Sequence, residues 1–184
     1  MALRRILKFP AQSLKKHATA VKDIDGQVDE ILRDMVDTMY AAPGVGLAAP
    51  QVGIAQRMIV LDVNHEEPGK NLLKLVNPEI VEREGTVLWE EGCLSVVDYS
   101  AEVRRSAQVV VKAWTLDQRE LEIEADGLLA VALQHEIDHL DGKLFIDRLS
   151  ALKRDSYKRK INKMIRDGID LETYRPPTDA DAGI

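Results

Sequence analysis

GLLAVALQHEIDHLDG, residues 127–142, decides how the rest of this 184-residue sequence is read. Its first half is apolar on nearly every side, the pattern of a helix surrounded by protein rather than lying on a surface. Its second half places His135 and His139 four positions apart. Residues at that spacing leave one face of a helix a turn apart, so two neutral imidazoles can grip one ion. Glu136 then stands beside the ion, where a carboxylate serves as general base. The HExxH pattern also arises by chance on polar helix faces. Here it follows directly on GLLAVAL, and charged groups entering a buried helix need partners. Gly142 falls just past the expected end of this helix.

A tetrahedral metal that keeps one position for water needs a third protein ligand. No histidine follows His139, and the nearest acids beyond it are Asp141 and Asp147. His17 and His65 lie in polar stretches and read as ordinary surface residues. Cys93, the only cysteine, stands in WEEGCLSV (89–96). A lone thiol is most often a small core hydrophobe. Its neighbours Glu90, Glu91 and Gly92 suit a strand end with a close backbone approach better than a core strand. Core thiol, nucleophile and third ligand all remain open on these residues alone. Nucleophile is the weakest of the three, because HExxH already supplies a means of activating water.

Around this centre the chain is an ordinary globular sequence. Apolar residues make up 45% and aromatics only 4%, so the core must be built from aliphatic side chains. A single cysteine argues against a disulfide scaffold and for a reducing compartment. No stretch has the length of a membrane span, and MALRRILKFP lacks the apolar run of a signal peptide. A cytoplasmic protein with neither membrane nor DNA as partner is the expectation, the net charge being −6. One segment runs against that charge. Residues 150–166 hold Lys153, Arg154, Lys158, Arg159, Lys160, Lys163 and Arg166 against the single acid Asp155.

Residues 24–40 show helical spacing, with Asp23 or Asp25 as cap and Pro43 and Gly44 as stop. Strands are expected at 57–63, 71–78 and 80–90, followed by a hairpin running through EVRRSAQVVVKAWTL and ELEIEA. A basic helix covers about 149–166. The fold class is therefore α+β: mixed, mainly antiparallel sheets around a buried central helix carrying HExxH, plus a C-terminal helix. Residues 1–168 form one catalytic domain, and 169–184 a poorly ordered tail.

Three stretches, GVGLAAPQ (44–51), EGCLS (91–95) and QHEIDHLDG (134–142), resemble in order the signature motifs of the peptide deformylase family. ADGLL, GKLFIDRLS and the N-terminal LKFPAQSLKKHATAV are similar too, so the likeness spans roughly residues 3–166. The long basic C-terminal helix is like that of the bacterial type typical of Gram-negative species. The resemblance implies that Cys93, His135 and His139 hold one divalent metal, ferrous iron (Fe2+) in the usual case, with zinc, nickel or cobalt also able to occupy the site. It implies that Glu136 is the general acid–base. The Leu94 backbone N–H and the Gln51 side-chain amide would donate to the oxyanion formed when water attacks the formyl group of an N-formylmethionyl nascent polypeptide. Formate and a free amine would be the products.

The methionine pocket must be apolar. Leu128 and Val131 share a helix face with His135 and are candidates for it, together with Val45, Leu94 and Trp89. Gly44 and Gly46 would let the backbone approach a peptide as a strand does. Glu91 is a candidate to orient a histidine ligand through its other ring nitrogen. The chain departs from the family after EGCLS, where Val97 replaces a proline and Ser100 falls near the usual place of an arginine. Arg104 and Arg105 remain as structural or substrate-side charges. For the basic helix the resemblance implies docking on the ribosome, lost on truncation after Leu149 with peptide turnover spared. An HExxH metallopeptidase cleaving internal peptide bonds is the alternative enzyme. A ribosome-associated binding protein with a structural metal is the alternative without catalysis.

Overall fold

The computed structural model describes residues 2–64 and 66–174, so His65 and the last ten residues of the expected tail lie outside the described residues. Helix α1 (Gly26–Ala41) starts where the Asp25 carboxylate accepts from the Gln27 and Val28 amides, at 2.9 and 3.1 Å. That closes two amides the first turn would otherwise leave open. Among the described residues seven strands follow: β1 (Gly46–Ala48), β2 (Met58–Leu61), β3 (Leu73–Glu84), β4 (Val87–Cys93), β5 (Val96–Arg105), β6 (Gln108–Trp114) and β7 (Glu120–Asp126). Helix α2 (Gly127–Leu140) comes next, then α3 (Ala151–Arg166), capped by the Ser150 hydroxyl.

The chain is α+β. A five-stranded sheet has the order β1-β2-β3-β6-β7, and β4-β5 form a separate hairpin. These ladders are antiparallel throughout; among the described residues the parallel element expected of a mixed sheet is reduced to one isolated bridge, Thr19 with Gln56. Two strand boundaries also differ from the sequence reading. Pro78 does not end a strand, because β3 bulges there: Asn77 leaves the ladder at φ 51° and its side chain bonds to the backbone of Val21. The break falls instead at Gly85, φ 63°. The expected hairpin over 102–125 is likewise two pieces, since its first residues belong to β5 and pair with β4.

Among the described residues three apolar clusters hold the elements. Helix α2 packs Ala130, Leu133, Ile137 and Leu140 against Leu61, Val111 and Ala125 of the large sheet. Helix α1 sets Leu32, Met35 and Met39 on Met58 and Val60. The hairpin meets α3 in the third, where Val97 and Val103 join Phe145, Tyr157 and Ile161. Leu171 is buried in that cluster and Tyr174 packs against it, so part of the expected tail lies on the core.

Gly142 follows α2 at φ 69°, and a Cβ there would lie 2.6 Å from the Lys15 carbonyl oxygen. Left-handed backbone and a backbone clash act together. Gly142→Ala should therefore cost about 2–3 kcal/mol in a denaturant titration.

Candidate active site

Two elements with different packing partners supply the site. The second half of α2 carries His135, Glu136 and His139, and the tip of the β4–β5 hairpin carries Cys93. In that hairpin Cys93 pairs with Val96, leaving Leu94 and Ser95 as a two-residue turn. The candidate ligand atoms of Cys93, His135 and His139 all lie within 4.8 Å of one another. The Cys93 sulfur is 3.3 Å from His139 Nε2. His135 Nδ1 is 2.8 Å from the Glu91 carboxylate, which leaves Nε2 to face the sulfur.

One sulfur and two nitrogens converging in this way suit a tetrahedral cation with one position free. Charges agree with that fit. Burial holds His139 well below the usual histidine range, in the neutral form a ligand needs. His135 is opposed by burial but raised well above that range by hydrogen bonds to Cys93 and Glu91. Such a proton is one that a cation displaces. Asp141 pairs with Arg57, and Asp147 caps the Leu144 amide; neither joins the ligand group. His17 is exposed.

Glu136 is 5% exposed, and its Oε2 has no hydrogen-bond partner among the described residues. Burial pushes its carboxyl up to about 7, partly offset by His135. Strand β1 lies flush against it. A Cβ on Gly46 would be 2.5 Å from Glu136 Oε1, and one on Gly44 would be 2.8 Å from a Leu94 methyl. Gly46 is thus fixed by space, since Leu61 also closes on that Cβ, at 2.9 Å; at Gly44 only the Leu94 side chain would have to move.

Gln51 accepts the Ala48 amide at 2.8 Å, which turns its Nε2 toward the hairpin, 3.1 Å from Ser95 Oγ and 3.7 Å from the Cys93 sulfur. In front of these groups is a cleft of about 390 Å³, lined by Val45, Gly46, Gln51, Trp89, Leu94, Leu128 and Val131 with Cys93, His135 and Glu136. Every residue picked from the sequence for this site borders the cleft except His139, which is 1% exposed behind it.

The Arg105 network was not apparent in the sequence. Arg105 donates to both Glu91 oxygens, at 2.6 and 2.9 Å, and to Asp138 at 2.6 Å. Arg148 holds Asp138 from the other side at 2.5 and 2.6 Å. The sequence offered Glu91 as a histidine partner and Arg105 as a structural charge, without linking the two. The departures at Val97 and Ser100 fall in a bulge of β5. There Asp98 has φ 48° and bonds Lys160, Tyr157 donates to the Val97 carbonyl, and Ser100 donates to Glu90.

A buried carboxylate beside two imidazoles and a thiol, facing an apolar cleft, is the constellation of a hydrolase. The family model for polypeptide deformylase matches residues 3–155. The peptide deformylase of Syntrophobacter fumaroxidans is 48% identical over 91% of this chain and 98% of its own length. A crystal structure of a peptide deformylase from Legionella pneumophila matches with TM-score 0.84 at 46% identity, covering 91% of this chain and 98% of the other. That of Ehrlichia chaffeensis peptide deformylase in complex with actinonin matches with TM-score 0.83 at 37% identity, over 90% and 99%. The chain belongs to the polypeptide deformylase family. It is an enzyme, a hydrolase of protein biosynthesis that removes the formyl group from newly made polypeptides.

Burial alone would raise the Glu91 and Asp138 carboxyls; hydrogen bonds from Arg105 to Glu91 and from Arg148 to Asp138 hold both below the usual range. A depressed folded value stabilises above the unfolded value of about 4 and is lost as pH falls through the folded one. Arg105→Met leaves both carboxylates short of a partner. It should cost about 3–5 kcal/mol at neutral pH and move the midpoint of acid unfolding upward.

Proposed function

We propose that this chain deformylates with Cys93, His135 and His139 holding one divalent metal, Glu136 as general acid–base, and the Leu94 N–H and Gln51 amide as oxyanion donors. The convergence of three ligands beside a buried Glu136, whose Oε2 has no hydrogen-bond partner among the described residues, is the observation that carries this reading. Ferrous iron is the expected ion, with zinc, nickel or cobalt able to replace it, and its chemistry is to acidify the attacking water and polarise the formyl oxygen. HExxH thus lies on α2, the helix at the centre of the catalytic domain spanning residues 1–168.

Glu136 takes one proton from the water as its oxygen bonds to the formyl carbon. The Leu94 N–H and the Gln51 Nε2–H meet the oxyanion where charge develops. Glu136 then passes the proton to the departing nitrogen, the C–N bond breaks, and formate and a free N-terminal amine leave. Strand β1 is an edge of its sheet, so the peptide lies along it as an added strand beside Val45 and Gly46. The methionine side chain enters the apolar wall of Leu94, Trp89, Leu128 and Val131. The substrate is an N-formylmethionyl nascent polypeptide in the cytoplasm, with neither DNA nor membrane as partner. Among the described residues no helix is long and apolar enough to cross a membrane.

The activity test offers matched formylated and unformylated methionyl peptides. Formate from the first and no cleavage of either chain is the expected result; internal cleavage would indicate a metallopeptidase instead. Glu136→Gln should lower kcat by about 10²–10⁴-fold while zinc content is unchanged. Full turnover in that variant removes Glu136 from the mechanism.

Helix α3 is the proposed ribosome contact. Its buried face, Tyr157, Ile161 and Met164, covers the third apolar cluster, so truncation would also uncover that core. Arg159, Lys163 and Arg166 line a hollow on the outer face together with Ile165. Replacing those three basic residues by Gln should weaken salt-sensitive ribosome binding about tenfold or more. Turnover of a short formyl peptide should remain at the wild-type rate. Unchanged ribosome affinity would overturn this contact.

A further inference from the structure

The N-terminal stretch LKFP plays no part in the mechanism above, yet it is strung between the two oxyanion donors. The Leu7 amide donates to the Gln51 carbonyl, and the Phe9 amide to the Ser95 carbonyl, both at 2.8 Å. Between them the Lys8 side chain reaches over the hairpin tip, where Nζ donates to the Leu94 carbonyl oxygen at 2.5 Å. An ammonium bonded to a carbonyl makes a charge-assisted hydrogen bond, stronger than a neutral one. Its acceptor belongs to the peptide unit joining Leu94 to Ser95. The N–H of that same unit points at the Cys93 sulfur, 3.4 Å from Ser95 N.

We propose that Lys8 is a positioning residue of the deformylase reaction: bonded to the Leu94 carbonyl, it fixes and polarises the turn that presents the Leu94 amide and the Cys93 sulfur. Two consequences follow from one contact. Pinning the Leu94 carbonyl fixes the rotation of the residue whose N–H must meet the oxyanion. Polarising the unit toward Lys8 strengthens its N–H bond to the sulfur. A donor held in place in advance acts on the transition state more than on the bound substrate. Phe9 anchors the segment, since its ring is buried against Tyr157 with centroids 5.8 Å apart. Lys8 is only partly buried, so its replacement leaves the core intact.

This inference rests on the roles given to Leu94 and Cys93, and its test separates the two. Lys8→Met, Lys8→Arg and, as a charge control, the exposed Lys22→Met are compared in the zinc-loaded full chain. Lys8→Met should lower kcat about tenfold with KM within about twofold, because the contact acts on the transition state. Lys8→Arg should restore most of the loss, and Lys22→Met should match wild type. A chelator should strip zinc from Lys8→Met several-fold faster, with the thermal midpoint little changed. Unchanged kcat and unchanged zinc release in Lys8→Met would overturn the proposal. A lowered midpoint with kcat unchanged would reduce Lys8 to a stability contact and overturn it equally. Failure of the underlying assignment shows elsewhere, as full turnover in Cys93→Ser or Gln51→Ala.

Discussion

Arg105 sits in the interior with 0% of its side chain exposed, its guanidinium clamped between Glu91 on the hairpin and Asp138 on α2. Charges withdrawn from water are costly unless geometry and hydrogen bonding are nearly complete. Here they are: Arg105 uses Nε, Nη1 and Nη2, and Arg148 takes up the remaining capacity of Asp138. The consequence is positional. Cys93 belongs to a two-stranded hairpin and the histidines to a helix packed on a different sheet, so nothing in either element alone sets their separation. The guanidinium ties the two elements together directly. Glu91, held by it, also bonds His135 Nδ1 and so decides which ring nitrogen faces the sulfur.

The second constraint is space. Helix α2 is buried on almost all sides, and β1 approaches it so closely that Glu136 has no room for a side chain at position 46. The absence of a Cβ there lets a carboxylate lie in a site from which bulk water is largely excluded. Burial keeps its affinity for a proton high, which suits the proposed role of accepting one and returning it. A cation at the three neighbouring ligands would pull that affinity down, so the working value reflects both. The cleft in front is apolar with few polar groups, the usual character of a pocket that sorts substrates by one side chain.

Much of this was legible in the sequence, and the divide has a physical cause. His135, Glu136 and His139 share one helix, where fixed periodicity converts spacing into geometry. Asp25 as cap and Gly142 as terminator are equally local. From the residues alone Cys93 was legible only as one of three open readings, and the family resemblance of EGCLS named it a ligand, because its closeness to the histidines is made by tertiary packing across more than forty residues. The Arg105 network was hidden for the same reason: its four members come from β4, β5, α2 and the turn after it. Pro78 misled, since a proline normally ends a strand and here a bulge absorbs it. Lys8 had no sequence signal beyond lying in a stretch that resembles the family.

The claim on which the rest depends is that one cation is shared by sulfur and two imidazoles. X-ray absorption at the metal edge of the zinc- or iron-loaded protein measures this directly. One sulfur at about 2.3 Å and two imidazole nitrogens at about 2.0–2.1 Å, with a lighter atom completing the shell, is the expected result. A shell of nitrogen and oxygen alone, with Cys93 still free to alkylation, would contradict it.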